Sequence, residues 1–315
     1  MKFQTTIPIQ KSDYLIDYSS QLVSFGSCFA ENMGNKLDYF KFSTTTNPFG
    51  IIFNPISLEK IILRSIHKKY FTEKDIFFHN EAWHCYEVHS ELSNPDKSEF
   101  LTALNQLIAT TNWHIEKATH CLITLGTSWV YKHIESDAIV ANCHKVPQQQ
   151  FVKELLSVAA IEASLKNIVA AIQVVNSNCK FIFTISPVRH SKDGFVENNV
   201  SKSHLSTALY QLLSKTTSSL YFPSYEIMMD ELRDYRFYAE DMLHPNQIAI
   251  DYIWMKFSQN YIDEKEFETM QHVLEIQKAS SHRPFNPNSE SHIKFQNNLK
   301  QKMAAIVAKY PEMKF

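Results

Sequence analysis

Ser27 follows Gly26 at the end of a short apolar run, Gln21 to Phe25, and precedes an amphipathic stretch from Phe29 to about Phe40. That order reads as strand, tight turn and helix. The turn would expose the hydroxyl at a helix N-terminus, where free N–H groups and the positive end of the dipole favour a developing oxyanion. A serine attacks poorly without a base. His244 can act as one, and Asp241, three residues earlier, can hold the other ring nitrogen and fix its tautomer. Taken alone, Asp-x-x-His is a weak motif, and the competing interpretation makes Ser27 and Asp241 plain helix caps.

The glycines sharpen the choice. The chain has only five, against an average usage of about 7%, so each is expected where a side chain is intolerable. Gly26, Gly50 and Gly126 all fall where a predicted strand runs out, in Gly26-Ser27-Cys28-Phe29, Asn47-Pro48-Phe49-Gly50 and Gly126-Thr127-Ser128-Trp129. Ligands of open α/β sheets bind beyond the carboxyl ends of the strands. A fourth such end, Ser186-Pro187-Val188-Arg189-His190, brings Arg189 and His190 to the same side, where they could hold an anionic or polyol group.

These residues need a frame. Apolar strands are predicted at Gln21 to Phe25, His120 to Leu125 and Lys180 to Ile185, with shorter β-rich stretches at Phe40 to Thr46 and Ser219 to Phe222. Helices are predicted from Ser57, over Asp96 to about Lys117, over Phe151 to Val175, over Glu197 to Ser214, and from Pro245 to about Phe257. Strands alternating with long helices indicate an α/β protein with a mostly parallel sheet covered on both faces. Hairpins are expected at Asp75 to His89 and Trp129 to Val140, the first outside the main sheet. From about Tyr261 the chain turns into two polar amphipathic helices split by His282-Arg283-Pro284-Phe285-Asn286-Pro287, so residues 1–260 are expected to form the catalytic domain and 261–315 a helical extension packed on it.

Other residues are open to two readings. Asn142 and His144, in Asn142-Cys143-His144-Lys145, either line a pocket or form a surface turn, and Asn47 sits at a strand end. Cys28 beside Ser27 reads as a packed thiol rather than a reactive one. His79, His84 and His89 invite a metal, yet no acidic residues accompany them, so no metal or other cofactor is expected. A formal net charge of −2 gives no pull toward nucleic acid or an anionic membrane. The five cysteines show no paired spacing, the start MKFQTTIPIQKSDY has no apolar leader core, and no run reaches the roughly 18 residues of a membrane helix, so a cytoplasmic protein with reduced thiols is expected.

The strings VSFGSCFAENMG, TTTNPFGIIFNP, ITLGTSWVY, ANCHKVP, SPVRH, YFPSYEIMMDELRDYRFYAEDMLHPN and HRPFNPNSESH, spread over most of the chain, resemble the GSCFA-domain proteins, a branch of the SGNH (GDSL-like) hydrolases. The resemblance implies a three-layer α/β/α sandwich of flavodoxin-like type. It also implies a Ser27–His244–Asp241 triad, with an oxyanion held by the N–H groups of Ser27 and Gly50. One departure stands out: SGNH enzymes carry an asparagine donor two residues after the third-block glycine, and here that residue is Ser128. Losing such a donor costs about 10²–10³ in rate, unless the Ser128 hydroxyl substitutes weakly or Asn47 or Asn142 supplies it. The expected chemistry is acyl-ester hydrolysis or acyl transfer on a small-molecule or carbohydrate ester. The competing expectations are a ligand-binding protein that keeps the fold without turnover, and metal-assisted phosphoester hydrolysis, for which carboxylate clusters are lacking.

Overall fold

The structure, a computed structural model, describes residues 5–282 and 284–315. Arg283, in the expected break between the last two helices, lies outside them, as do the first four residues of the start that was read for a leader.

β1 (Gln21–Gly26) leads into α1 (Cys28–Tyr39), and β2 (Ser43–Thr46) into α2 (Pro55–Ile66). A hairpin of β3 (Phe77–His79) and β4 (Ala82–His84) follows, turning on Asn80 and Glu81 with φ of 45° and 62°. Then come α3 (Lys97–Lys117), β5 (His120–Leu125), β6 (Trp129–His133), β7 (Ala138–Val140) and β8 (Phe151–Leu155). The chain continues through α4 (Val158–Val175), β9 (Lys180–Ile185), α5 (Phe195–Leu213) and β10 (Ser219–Phe222). A single turn, α6 (Ser224–Glu226), runs into a π turn at Ile227–Glu231. α7 (Gln247–Tyr261), α8 (Phe267–Ser280) and α9 (Glu290–Lys309) complete the described elements.

β2, β1, β5, β9 and β10 form one parallel sheet in that spatial order. Counted among themselves the strands run 2-1-3-4-5, the doubly wound flavodoxin-like order, so the topological switch point lies between β1 and β5. Alternation within the strands fills the layers on both faces. Val23, Phe25, Cys121, Ile123, Phe181 and Phe183 join the core built with α2, α3, α4 and α5, while Leu22, Leu122, Ile182 and Phe222 join the one built with α1 and α7. Phe181 and Phe183 are 0% exposed, and burial of such a side chain contributes about 1.5–3 kcal/mol each. The fold is thus the three-layer α/β/α sandwich that the resemblance implies, with two small extra sheets.

Three local expectations need correction. Phe151 to Leu155 is not the start of a helix but β8, antiparallel to β6, which makes the second hairpin a three-stranded sheet. Its alternating burial is a strand pattern, and Ser157, whose hydroxyl accepts from Ala160 N–H at 3.2 Å, caps α4 where the periodicity changes. α2 begins two residues before Ser57, with Asn54 accepting Ser57 N–H at 2.8 Å and Pro55 in the first turn. α7 is likewise capped by Asn246, accepting from Ala249 N–H at 3.1 Å, so Pro245 stands outside it. Val158–Val175 is also as long and apolar as a membrane span, contrary to the sequence expectation. Its Ile161, Leu165, Ile168 and Ile172 are all 0% exposed inside the core, which is the pattern of a central helix.

The last two helices pack their own small core of Val273, Ile276, Leu299, Ile306 and Met313, with Tyr18 against it. Tyr18 stacks on Phe42 at 4.4 Å, and Gln277 Nε2 donates to the Tyr39 carbonyl at 3.0 Å, which ties this core to α1 and its exit.

Candidate active site

The turn after β1 is fixed by backbone. Gly26 has φ +140°, and a Cβ there would stand 2.1 Å from the Thr124 carbonyl oxygen of β5, so glycine is required on both grounds. Gly26 N–H donates to Asn47 Oδ1 at 2.8 Å, Ile52 N–H donates to the Gly26 carbonyl at 3.0 Å, and Ser27 N–H donates to Thr124 O at 3.1 Å. Asn47 is therefore the peg of this turn and is 8% exposed, rather than part of a binding surface, although its Nδ2 has no partner among the described residues.

Ser27 is 0% exposed and its hydroxyl makes no hydrogen bond to any described residue. It is not a capping side chain for α1, and it is sealed beneath the surface. Cys28, the first residue of α1, is the side chain of this turn that reaches the open cleft. The cleft holds about 490 Å3 beyond the carboxyl ends of β1, β5 and β9. Its walls come from Phe53 and Asn54, from Trp129 and Tyr131 of the three-stranded sheet and Asn142 just after β7, from Arg189 to Asp193, and from His244.

Asp241 and His244 are joined as expected. His244 Nδ1–H donates to Asp241 Oδ2 at 2.5 Å, and Asp241 Oδ1 accepts the backbone N–H groups of Leu243 and His244, each at 2.9 Å. Those three bonds hold the Asp241 carboxyl well down, to about 2, so it is an anion at every ordinary pH. With Nδ1 committed, Nε2 is the ring's proton acceptor. No hydrogen bond joins His244 to Ser27, so the three residues do not form a connected triad in this conformation.

The three expected oxyanion donors are all engaged elsewhere. Ser27 N–H is taken by Thr124, and Gly50 N–H closes a turn onto Asn47 O at 2.7 Å, with Gly50 at φ +75° packed against His89. Ser128 Oγ donates to Ser201 O at 3.1 Å, and its N–H to Ser201 Oγ at 2.8 Å, which locks it onto α5. His144 also leaves the expected site. It is 4% exposed, with Nε2–H donating to Cys85 O at 2.7 Å and its ring 4.8 Å from that of His84, under the β3–β4 hairpin. Burial there lowers its pKa to about 4. Asn142 does line the cleft, its Oδ1 accepting His144 N–H at 2.8 Å. Arg189 reaches Met229 Sδ at 3.1 Å and leaves Nε unpaired. His190 stands edge-on to Phe53 at 5.3 Å, is pushed down to about 4 chiefly by burial, and keeps Nε2 unpaired. Of the hairpin histidines, His84 is occupied by Ser93 Oγ at 2.6 Å and the His79 carbonyl at 2.9 Å. Among the described residues no three His, Cys, Asp or Glu side chains converge as metal ligands would.

Two polar groups near the cleft and the strand ends escape the sequence reading. Asn54 lines the cleft with its Oδ1 spent on capping α2, which leaves its Nδ2 donors without a protein acceptor among the described residues. Lys202 of α5 is 2% exposed and donates through Nζ to the Gly126 and Ser186 carbonyls, each at 2.8 Å, the backbone just past β5 and β9. Burial lowers this lysine to about 7, with the neighbouring Cys28 acting in the opposite sense. A signal for Lys202 existed: Asn198, Ser201 and Lys202 continue the same buried stripe as Leu205 and Leu209, so polar residues occupy a core face of a helix.

A family model described as GSCFA matches residues 21–257, and one described as the GSCFA domain protein, C-terminal domain, matches residues 273–315. The chain belongs to the GSCFA family. No curated protein matches it. The first match spans every strand of the parallel sheet and ends within α7, and the second takes in most of α8 and all of α9. In this GSCFA protein both sides of the cleft, Cys28 and His244, therefore fall within the first matched region.

Proposed function

We propose that the protein is an acyl-ester hydrolase or acyltransferase of SGNH type, acting on an acylated carbohydrate. The observation that carries this reading is the His244 ring, held through Nδ1 by a carboxylate and opening on the same cleft as the N-terminus of α1. The nucleophile comes from the β1–α1 turn, His244 Nε2 takes its proton, and Asp241 stabilises the imidazolium that forms. Asn54 Nδ2 replaces the missing third-block asparagine as a side-chain donor to the oxyanion. Trp129, Tyr131, Asn142 and Arg189 provide flat apolar faces edged with hydrogen-bonding groups, a wall that suits a sugar ring.

Hydrolysis of p-nitrophenyl acetate and of acetylated sugars by wild type and His244→Asn tests this. The variant is expected to lose roughly 10²–10⁴ in kcat/KM, with folding unchanged by circular dichroism. Equal rates for the two proteins, or no turnover of any ester by wild type, would overturn the reading. A second reading, ligand binding without turnover, has one observation in its favour: the N–H groups of Ser27 and Gly50 and the hydroxyl of Ser128 are all engaged within the protein.

A further inference from the structure

The geometry points to Cys28, not Ser27, as the nucleophile of this cleft, with the buried ammonium of Lys202 positioned to support the thiolate. The inference rests on the acyl-transfer reading and specifies its attacking atom. Ser27 and Cys28 are neighbours, yet their surroundings are opposite. Ser27 has no exposed surface and no hydrogen-bonding partner among the described residues, so no base contacts it. Cys28 shares the cleft with His244, whose Nδ1 is already committed to Asp241.

Three features around the sulfur favour negative charge. Cys28 is the first residue of a 12-residue helix, and its own N–H and that of Phe29 stabilise the charged sulfur. Lys202, when protonated, adds positive charge from α5. Its Nζ is anchored by two carbonyls, which need only two of its three protons, and it interacts electrostatically with Cys28. Against these stand burial of the thiol, the largest effect, and Glu31 one turn along α1; together they keep the thiol pKa above its ordinary value. Cys28 therefore rests as a thiol and needs His244 as its base.

The step balances without a further reagent. His244 Nε2 takes the S–H proton as sulfur bonds to the ester carbonyl carbon, and the carbonyl electron pair moves onto oxygen. The tetrahedral adduct then expels the alcohol, which leaves with the proton from His244, and a thioester remains. Water or an acceptor hydroxyl, deprotonated by His244, attacks that thioester. Sulfur departs and recovers the proton.

The experiment combines turnover with identification of the acylated residue. Wild type, Cys28→Ala, Ser27→Ala and Cys143→Ala are each mixed with p-nitrophenyl acetate, quenched in acid, digested and mapped by mass spectrometry. Cys143 is included because its thiol also lines the cleft, although burial pushes it up to about 11. The expected adduct is an acetyl group on Cys28 that neutral hydroxylamine removes. Turnover should fall at least 100-fold in Cys28→Ala and persist in the other two variants. Acetylation of Ser27 or Cys143, or undiminished turnover in Cys28→Ala, overturns the inference and leaves ester chemistry standing. Absence of turnover and of adduct in wild type overturns both. For Lys202, the iodoacetamide alkylation rate of Cys28 is compared in wild type and Lys202→Met. A fall of about tenfold is expected, whereas a purely structural lysine would leave the rate unchanged or raise it by loosening the packing.

Discussion

The two turns that meet at the cleft are built in opposite ways. Residues 26–28 are held by the sheet and its loops: the Gly26 N–H, the Gly26 carbonyl and the Ser27 N–H bond to Asn47, Ile52 and Thr124, and a methyl group at Gly26 would collide with β5. Residues 241–244 are held locally, by one aspartate that satisfies two backbone N–H groups and a ring nitrogen while remaining 46% exposed. On the proposed chemistry the attacking side is thus held by the sheet, and the base side by short-range bonds, those of Asp241 and the two that Ala239 makes with the His244 carbonyl and the Met242 N–H. On the same proposed chemistry, positioning of the nucleophile and stability are coupled, whereas positioning of the base and stability are separable.

The largest effect on stability should come from Gly26→Ala, which combines a positive φ with a 2.1 Å approach to backbone that cannot move without breaking the β1–β5 ladder. A loss of about 3 kcal/mol or more is expected, read as a fall in the urea midpoint. A wild-type-like midpoint would show that the turn can relax and would erase the contrast.

Lys202 should give an effect with a pH signature. Its folded-state pKa, about 7, lies below its ordinary 10.5. Between those values the unfolded chain binds the extra proton, so unfolding free energy rises with pH, and the contribution is lost as pH falls through about 7. Over the whole interval this amounts to a few kcal/mol, on the order of 3–5. The stability of wild type relative to Lys202→Met should therefore climb from pH 7 to pH 10. A flat difference would mean that the lysine keeps its proton throughout.

Asp241→Asn should have the smallest effect on stability, within about 1 kcal/mol, because the pair is half exposed. Its ester hydrolysis should nonetheless fall by about 10²-fold or more, since an amide can hold the ring in the wrong tautomer. An equal loss of stability and rate would make the base turn as structural as the nucleophile turn.

Much of this arrangement was legible in the residues. The parallel sheet followed from the apolar runs at 120–125 and 180–185, and the Asp241–His244 pair from its spacing. What escaped has physical causes. FVKEL at 151–155 was absorbed into a helix because the run of apolar residues behind it dominates any long window, yet its alternation is that of a strand. Ser27 drew attention as a hydroxyl after glycine, but which of two adjacent side chains faces a cleft depends on the direction in which α1 leaves the turn, and local sequence carries no record of that. Ser128 could only be placed by its partner Ser201, 73 residues away. Lys202 was within reach, because a lysine on an otherwise buried helical stripe is anomalous without any structure.

The cleft draws its lining from residues as far apart as Cys28 and His244. During synthesis the Cys28 thiol is made first, and the His244 ring with its Asp241 partner arrives more than two hundred residues later. A growing or truncated chain lacking the segment around His244 carries a sulfhydryl with no such proton acceptor. On the proposed chemistry, reactivity is thereby deferred until that segment has been made.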